Sequence, residues 1–302
     1  MTHTPAIPEQ LLNKLVQTAL KEDIGRGDVS SSILPSRPRR AVMIAKSAGI
    51  LSGIHVARRV FKTLDEGCRV YVHTEDGESF KKGDELIEVF GPLPVLLTAE
   101  RTALNFVQQL SGVATRTNEF VTTLRKLGGD HITIRDTRKT VPGLRLLQKA
   151  AVVHGGGHNH RIGLDDMVML KNNHIDALGS ISAAVAALKK TGWPQPRRPI
   201  PLCIEVRNLA EAKEAASQDP MPQIIMLDNM TPQRILQAAN AINQLATKRG
   251  LSQPELEVSG GITLDDLPNY AHLPIQRISI GALTHSAPAA DIAFRVVPMD
   301  KS

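Results

Sequence analysis

The sequence predicts an α/β fold in which a (β/α) domain follows a smaller α+β domain, and three observations carry that expectation. From residue 130 onward a short apolar strand, a polar or glycine-rich turn and a helix recur along the chain. The strands in this part are continuous apolar runs, the mark of a parallel sheet buried on both faces. The first 115 residues instead carry alternating segments with turns at Asp76-Gly77 and Lys82-Gly83-Asp84, the pattern of antiparallel strands.

In chain order, Glu9–Lys21 reads as a helix ahead of the glycine-rich turn Asp23–Asp28, and Arg69–His73 and Glu85–Phe90 read as strands. Thr98–Leu110 reads as a helix capped by Thr98, because Ala99, Ala103, Phe106 and Leu110 share one apolar stripe. The repeating part supplies strands His131–Arg135, Met167–Leu170, Leu202–Val206, Ile224–Leu227, Leu256–Val258 and Arg277–Ile280. Helices are expected over Leu144–Val153, with Pro142 at its start, and over Ala177–Lys190, Leu209–Ser217 and Pro232–Thr247. Units of this kind fit a (β/α) barrel or a doubly wound open sheet, and periodicity leaves both open. The expected division is an N-terminal α+β domain over 1–115, completed by 286–302, and a barrel-like catalytic domain over 116–285.

Composition narrows the function. The 302 residues, 42% hydrophobic and 22% charged, are those of an ordinary globular chain. No run of about eighteen apolar residues occurs, and MTHTPAIPEQ lacks the basic and apolar regions of a signal peptide, so a cytoplasmic protein without a membrane span is expected. Cys68 and Cys203 form no disulfide framework or zinc motif, and Cys203, within the apolar run Ile200–Val206, is expected to be a small buried side chain. The net charge of +6 admits nucleic acid or small anions as partners. Aromatics are only 3% of the chain, too few for a stacking platform, and most cations sit singly beside glycines and strand ends. Small anions are therefore favoured over nucleic acid. The cluster Arg37, Arg39 and Arg40 reads as a solvated basic loop or a phosphate contact.

In parallel α/β folds, function gathers where strands end. The first strand here runs into Asp136-Thr137-Arg138-Lys139-Thr140, Gly155-Gly156-Gly157 forms a flexible turn before His158-Asn159-His160-Arg161, and the second strand ends in Lys171-Asn172-Asn173-His174. Arginine's fork holds planar carboxylates and phosphates through paired hydrogen bonds, so Arg138, Lys139, His160, Arg161 and Lys171 read as an anion pocket. Each cation alone fits a surface ion pair equally well; their recurrence at successive strand ends favours the pocket. Glu205 and Asp228, at the next two strand ends, suit a Mg²⁺ shared with a phosphorylated substrate, or salt bridges to those cations. Ser259-Gly260-Gly261 and Ile280-Gly281-Ala282 suit phosphate cradles. His154, His158, His160 and His174 lack a regular zinc spacing, and neither a G-x-S-x-G elbow nor a Walker loop occurs.

These segments, with Lys21–Asp28, Glu100-Arg101-Thr102-Ala103-Leu104-Asn105, Ser111-Gly112-Val113-Ala114-Thr115, Leu227-Asp228-Asn229-Met230 and Gly281-Ala282-Leu283-Thr284, resemble the quinolinate phosphoribosyltransferase family, collinearly over nearly the whole chain. The resemblance implies an incomplete (β/α) barrel with an α+β sandwich domain. It implies transfer of phosphoribosyl from phosphoribosyl pyrophosphate to quinolinate with decarboxylation, giving nicotinate mononucleotide, pyrophosphate and CO₂ for NAD biosynthesis, with Mg²⁺. It implies a homo-oligomer, a dimer or a hexamer built of dimers, in which Arg101 reaches into a neighbouring site.

The family pattern assigns Arg138, Lys139, Thr140, His160, Arg161 and Lys171 to substrate, with Lys139, Lys171, Glu205 and Asp228 as the catalytic group. Glu205 and Asp228 fall near ribose and metal, and Ser259, Gly260, Gly261, Ile280, Gly281 and Ala282 fall near phosphate. Two positions depart from it: Asn172 stands where the family usually has aspartate, which would weaken the orientation of Lys171, and Cys203 stands where many members have glutamate. The alternative is a related barrel protein of molybdenum-transport type with another substrate; a Schiff-base aldolase or a non-catalytic regulatory protein fits the cationic set less well.

Overall fold

The structure, a computed structural model, describes residues 6–194 and 200–297. Two compact units emerge, comprising the described residues of Met1–Asn118, Thr140–Gly157 and Leu283–Ser302 in one, and Glu119–Lys139 and His158–Ala282 in the other. Residues 298–302, part of the segment expected to return to the first domain, lie outside the described residues.

The first unit opens with α1 (Glu9–Ile24), which buries Leu12, Val16 and Leu20 at helical spacing. Strand β1 (Pro38–Ala45) follows, then β2 (Gly49–Ile50), α2 (Ile54–Leu64), β3 (Arg69–Val72), β4 (Ser79–Phe80) and β5 (Glu85–Pro92). The Arg37–Arg40 region is thus strand-forming from Pro38, and Arg40 pairs with Glu88 at 2.5 Å and Glu85 at 3.0 Å. For Arg40 neither a free loop nor a phosphate contact applies, because cross-strand carboxylates on β5 take its guanidinium, whereas Arg37 lies exposed in the loop before the strand.

Helix α3 (Leu93–Lys126) is far longer than the expected Thr98–Leu110 segment. Its stripe is buried at Ala99, Ala103, Phe106 and Leu110 and continues through Val113, Phe120 and Leu124. Thr98 lies inside the helix rather than capping it, and its hydroxyl donates to Asp28 Oδ2 at 2.9 Å.

In the second unit β6 (Thr133–Arg135) comes first. Then α4 (Arg145–His154), whose residues belong to the first unit, starts after Pro142, because Gly143 at φ +82° makes a turn there first. Next come β7 (Val168–Leu170), α5 (Asn172–Leu178), α6 (Ile181–Lys190), β8 (Leu202–Val206), α7 (Leu209–Ala216), β9 (Ile224–Asp228), α8 (Pro232–Lys248), β10 (Glu255–Ser259) and β11 (Arg277–Ser279). The single helix expected over Ala177–Lys190 is two helices. Gly179 at φ +89° ends α5, and the Ser180 side chain caps α6 by accepting from the Ala183 amide at 3.0 Å.

After α9 (Ala282–His285), β12 (Ile292–Val297) pairs antiparallel with β1, giving the first unit the sheet β12-β1-β5-β3. Phe294 on β12 stacks on Phe61 of α2, ring centroids 5.8 Å apart, which seats that helix on the sheet. Fully burying an aromatic such as Phe61 contributes about 1.5–3 kcal/mol.

The second unit's six strands are all parallel and ordered β6-β11-β10-β9-β8-β7. β6 and β7 are consecutive in the chain yet stand at opposite ends of that order, as in a barrel left open at one seam. A single parallel bridge from His158 to Arg135 extends the β6 side. Registered neighbours alternate in character. Ile134, Ile278, Val258 and Leu227 form one row on the helix-covered face, whereas the next row on the opposite, interior face reads Arg135, Ser279, Ser259 and Asp228. A barrel interior this polar at its carboxyl end marks where chemistry is located.

Candidate active site

Parallel strands align their carboxyl ends, so residues that close each strand arrive at one edge. Lys171 directly follows β7, Glu205 lies one residue from the end of β8, Asp228 ends β9, and Ser259 ends β10. Arg138 and Lys139 follow β6 and belong to the same unit, as do His160, Arg161 and Ile280–Ala282. Arg101 and Thr140 belong to the first unit. There Arg101 is 59% exposed on α3 with Glu100 at 3.9 Å, and the Thr140 hydroxyl accepts from Arg145 Nε at 3.1 Å.

The β6 end is braced by Asp136, which is fully buried. Its Oδ1 accepts the His160 amide at 2.8 Å and its Oδ2 accepts Asn159 Nδ2 at 2.6 Å, so this carboxylate orients the neighbouring segment. Lys139 is exposed, with its amide donating to Thr137 Oγ1 at 3.0 Å. Arg161 Nη1 donates to the Met167 carbonyl at 3.1 Å. Burial, and then repulsion from Arg138, pull the Arg161 guanidinium below its ordinary pKa, which shows two like charges held close by the fold.

The glycine turn that precedes His158 is tightly packed rather than flexible. A Cβ at Gly157 would collide with Thr117 Cγ2, and one at Gly155 with the Ala114 carbonyl. His158 donates its amide to Ile134 O at 2.8 Å, whereas His154 sits in the first unit with Nδ1 2.9 Å from Ser52 Oγ.

At β7 and β8, Lys171 Nζ lies 3.6 Å from Glu205 Oε2. The amide of Asn172 approaches Glu205 Oε1 at 3.5 Å, and His174 Nδ1 accepts the Lys171 amide at 3.0 Å. Lys171 therefore has a partner charge without an aspartate at 172. Cys203 is fully buried in a cluster with Met167, Met169, Ile224 and Met226, and burial pushes its thiol pKa well up, so it packs rather than reacts.

At β9 and β10, Asp228 Oδ1 accepts the Ser259 hydroxyl at 2.7 Å and Oδ2 accepts Asn229 Nδ2 at 2.7 Å. Asn229 adopts φ +52° and Gly260 φ +110°, and a Cβ on Gly260 would collide with Asn229 Oδ1. Gly260 is thus required by backbone conformation and by close approach together. In the last turn the Ile280 amide donates to Arg135 O at 2.9 Å, so it serves the sheet rather than an anion.

Sequence reasoning missed an interior acid. Glu257, mid-β10 and fully buried, accepts the Ser279 hydroxyl and lies 3.3 Å from His160 Nε2. Arg277 Nη1 is 4.0 Å from its other oxygen, and burial, then repulsion from Arg135, lower the Arg277 pKa to about 10. The available signal was an acid flanked by the apolar Leu256 and Val258.

Residues 28–111 match the family described as quinolinate phosphoribosyl transferase, N-terminal domain, and residues 113–295 match its C-terminal domain. A probable nicotinate-nucleotide pyrophosphorylase (carboxylating) of Bacillus subtilis is 38% identical, over 96% of this chain and 95% of its own. A mitochondrial quinolinate phosphoribosyltransferase (decarboxylating) of Nicotiana tabacum is 36% identical, over 97% of this chain and 84% of its own. The crystal structure of NadC from Streptococcus pyogenes superposes with a TM-score of 0.87 at 37% identity, covering 98% of this chain and 100% of that one. The chain belongs to the quinolinate phosphoribosyltransferase family.

Proposed function

We propose that this chain transfers the phosphoribosyl group of phosphoribosyl pyrophosphate to quinolinate with loss of CO₂, producing nicotinate mononucleotide and pyrophosphate. The carrying observation is that Arg138, Arg161 and Lys171 share the strand-end edge of one unit with Glu205, Asp228 and the Ser259–Gly261 turn. A dicarboxylate and a triply phosphorylated sugar need such a cation-rich edge, and the family assignment supplies the two substrates.

In this reading Arg138 and Arg161 serve the quinolinate carboxylates with His160 buried behind Arg161, Lys139 and Lys171 face developing negative charge, and the Ser259–Gly261 turn and the Gly281–Ala282 backbone serve phosphate. The pyridine nitrogen lone pair forms the bond to the anomeric carbon while the bond to pyrophosphate breaks, its electron pair leaving with the phosphate. The nitrogen has no proton to lose, so no general base is required. The ribosylated, positively charged ring then accepts the electron pair of the C–CO₂ bond, CO₂ departs, and the ring carbon takes a proton from water. Lys139 and Lys171 act electrostatically rather than as Schiff bases.

Glu205 and Asp228 fit Mg²⁺. They are carboxylates on adjacent strands, and Mg²⁺ takes one or two such ligands beside phosphate oxygens. Bound there, the ion would neutralise charge on the leaving pyrophosphate. A homodimer or larger homo-oligomer, in which Arg101 serves a neighbouring copy, is part of the same proposal and is supported by that residue's exposure. Among the described residues no helix is long and apolar enough to cross a membrane. Cytosolic action is also proposed, on the two free thiols Cys68 and Cys203.

Purified protein given quinolinate, phosphoribosyl pyrophosphate and Mg²⁺ should release nicotinate mononucleotide, pyrophosphate and CO₂, and chelation should stop turnover. No product from quinolinate, with turnover of another pyridine, would overturn the substrate assignment.

A further inference from the structure

We propose that Glu257 is a positioning residue for quinolinate binding, acting through His160 to fix the backbone that carries Arg161. It rests on the reading of Arg161 as a quinolinate contact. Glu257 is an acid in the second-to-last interior row of the barrel, registered opposite Arg277 on one side and Met226 on the other. Fully buried, it forgoes hydration, and its Oε1 is the acceptor for the Ser279 hydroxyl.

His160 is 7% exposed, and its two ring nitrogens are both directed at protein. Nδ1 accepts the Arg161 amide at 2.7 Å, which requires Nδ1 to be unprotonated. The ring proton of the neutral form then resides on Nε2, 3.3 Å from Glu257 Oε1. A carboxylate facing Nε2 favours that tautomer, as a carboxylate behind a metal-binding histidine fixes the ring it touches. With the other tautomer Nδ1–H would meet the Arg161 N–H, two donors face to face.

The rest of the segment is anchored independently. Asp136 holds the His160 amide at 2.8 Å and the Asn159 side chain at 2.6 Å, and Arg135 Nη1 donates to Asn159 O at 2.9 Å. These contacts stop at residue 160. The imidazole links the barrel interior to the Arg161 amide, with Glu257 behind it. His160 thereby sets the start of the Arg161 side chain, whose guanidinium Nη1 donates to Met167 O at 3.1 Å.

The test compares Glu257→Leu, which removes the acceptor at similar volume, with Glu257→Gln, which keeps a carbonyl oxygen for Ser279 and His160. Glu257→Leu should raise KM for quinolinate by about tenfold or more, the usual scale for outer-shell partners, while KM for phosphoribosyl pyrophosphate stays within about twofold. Glu257→Gln should restore quinolinate KM to within about threefold of the parent. Equal KM effects on both substrates, or no recovery in Glu257→Gln, would overturn the proposal.

Nitrogen-15 NMR of the histidine rings of the unaltered protein, assigned by the signal lost in His160→Gln, decides independently of whether Glu257→Leu folds. An Nε2–H tautomer is expected, and an Nδ1–H tautomer sinks the idea. Because that measurement needs no substrate, it separates this inference from the assignment of quinolinate, which fails only if the parent protein does not turn it over.

Discussion

Lys171 Nζ lies 3.6 Å from Glu205 Oε2, an exposed cation set against a buried carboxylate on the next strand. The pair has two consequences. Glu205→Gln removes the charge that orients Lys171 and one of two proposed Mg²⁺ ligands, and should lower kcat/KM by at least about 100-fold. Asn172→Asp adds a second carboxylate beside a lysine that already has one, so steady-state rates should stay within about threefold of the parent. A large gain in Asn172→Asp would mean that Glu205 does not orient Lys171.

The turn after β10 makes a stability prediction. Gly260 occupies φ +110°, and its missing Cβ leaves room for the Asn229 side chain that donates to Asp228. Gly260→Ala must displace Asn229 and adopt a left-handed backbone, at a combined cost of about 2–4 kcal/mol. Urea unfolding measures it. The variant should also bind phosphoribosyl pyrophosphate more weakly, because Asp228 loses the Asn229 donor. By contrast Gly261→Asn, at φ +59° with open space around its Cβ direction, should cost under about 1 kcal/mol.

Asp28 gives the fold an acid-sensitive tie. The Ser31 hydroxyl and amide, the Thr98 hydroxyl and the Ser30 amide hold its carboxyl down at about 2, against an ordinary value of 3.8. A depressed folded pKa contributes stability above the unfolded value, and that contribution disappears as pH falls through the folded one. The Tm gap between the parent and Asp28→Asn should therefore be constant above about pH 5 and shrink between about pH 4 and pH 2. A gap independent of pH over that window would show that the carboxylate's charge plays no part.

How much of this was legible in the sequence follows from what each residue advertises. Leu202–Val206 is the same segment in sequence and structure, because a buried parallel strand is a largely apolar run, here carrying one acid, Glu205, near its end. The strand-end cations and acids were visible because each stands at or near the end of such a run. Strand β1 was hidden by Pro38-Arg39-Arg40 at its start, where Arg40 finds its carboxylate partners on β5, far along the chain. The split between α5 and α6 was written as Leu178-Gly179-Ser180, a stop and a cap that an otherwise continuous helical pattern obscured. Thr98 looked like a cap because the hydroxyl's partner, Asp28, is 70 residues away in sequence. Glu257 was illegible for a similar reason: an acid in a strand reads as outward-facing until registry shows that its row is the barrel interior.

The exposed guanidinium of Arg101 yields the last prediction. The side chain is 59% exposed on α3, and Glu100 is 3.9 Å away, too far for a strong hydrogen bond. If Arg101 completes the pocket of a neighbouring copy, Arg101→Ala and Lys139→Ala proteins should each lose nearly all activity for different reasons. In a mixed dimer one site would then carry both defects and the other neither. Random exchange makes about half of the dimers mixed, and each of those has one intact site in two, so activity should recover to about one quarter of the parent value. The measurement is turnover after subunit exchange, with dimer formation followed by light scattering. No recovery despite demonstrated exchange would mean that Arg101 and Lys139 act within the same subunit.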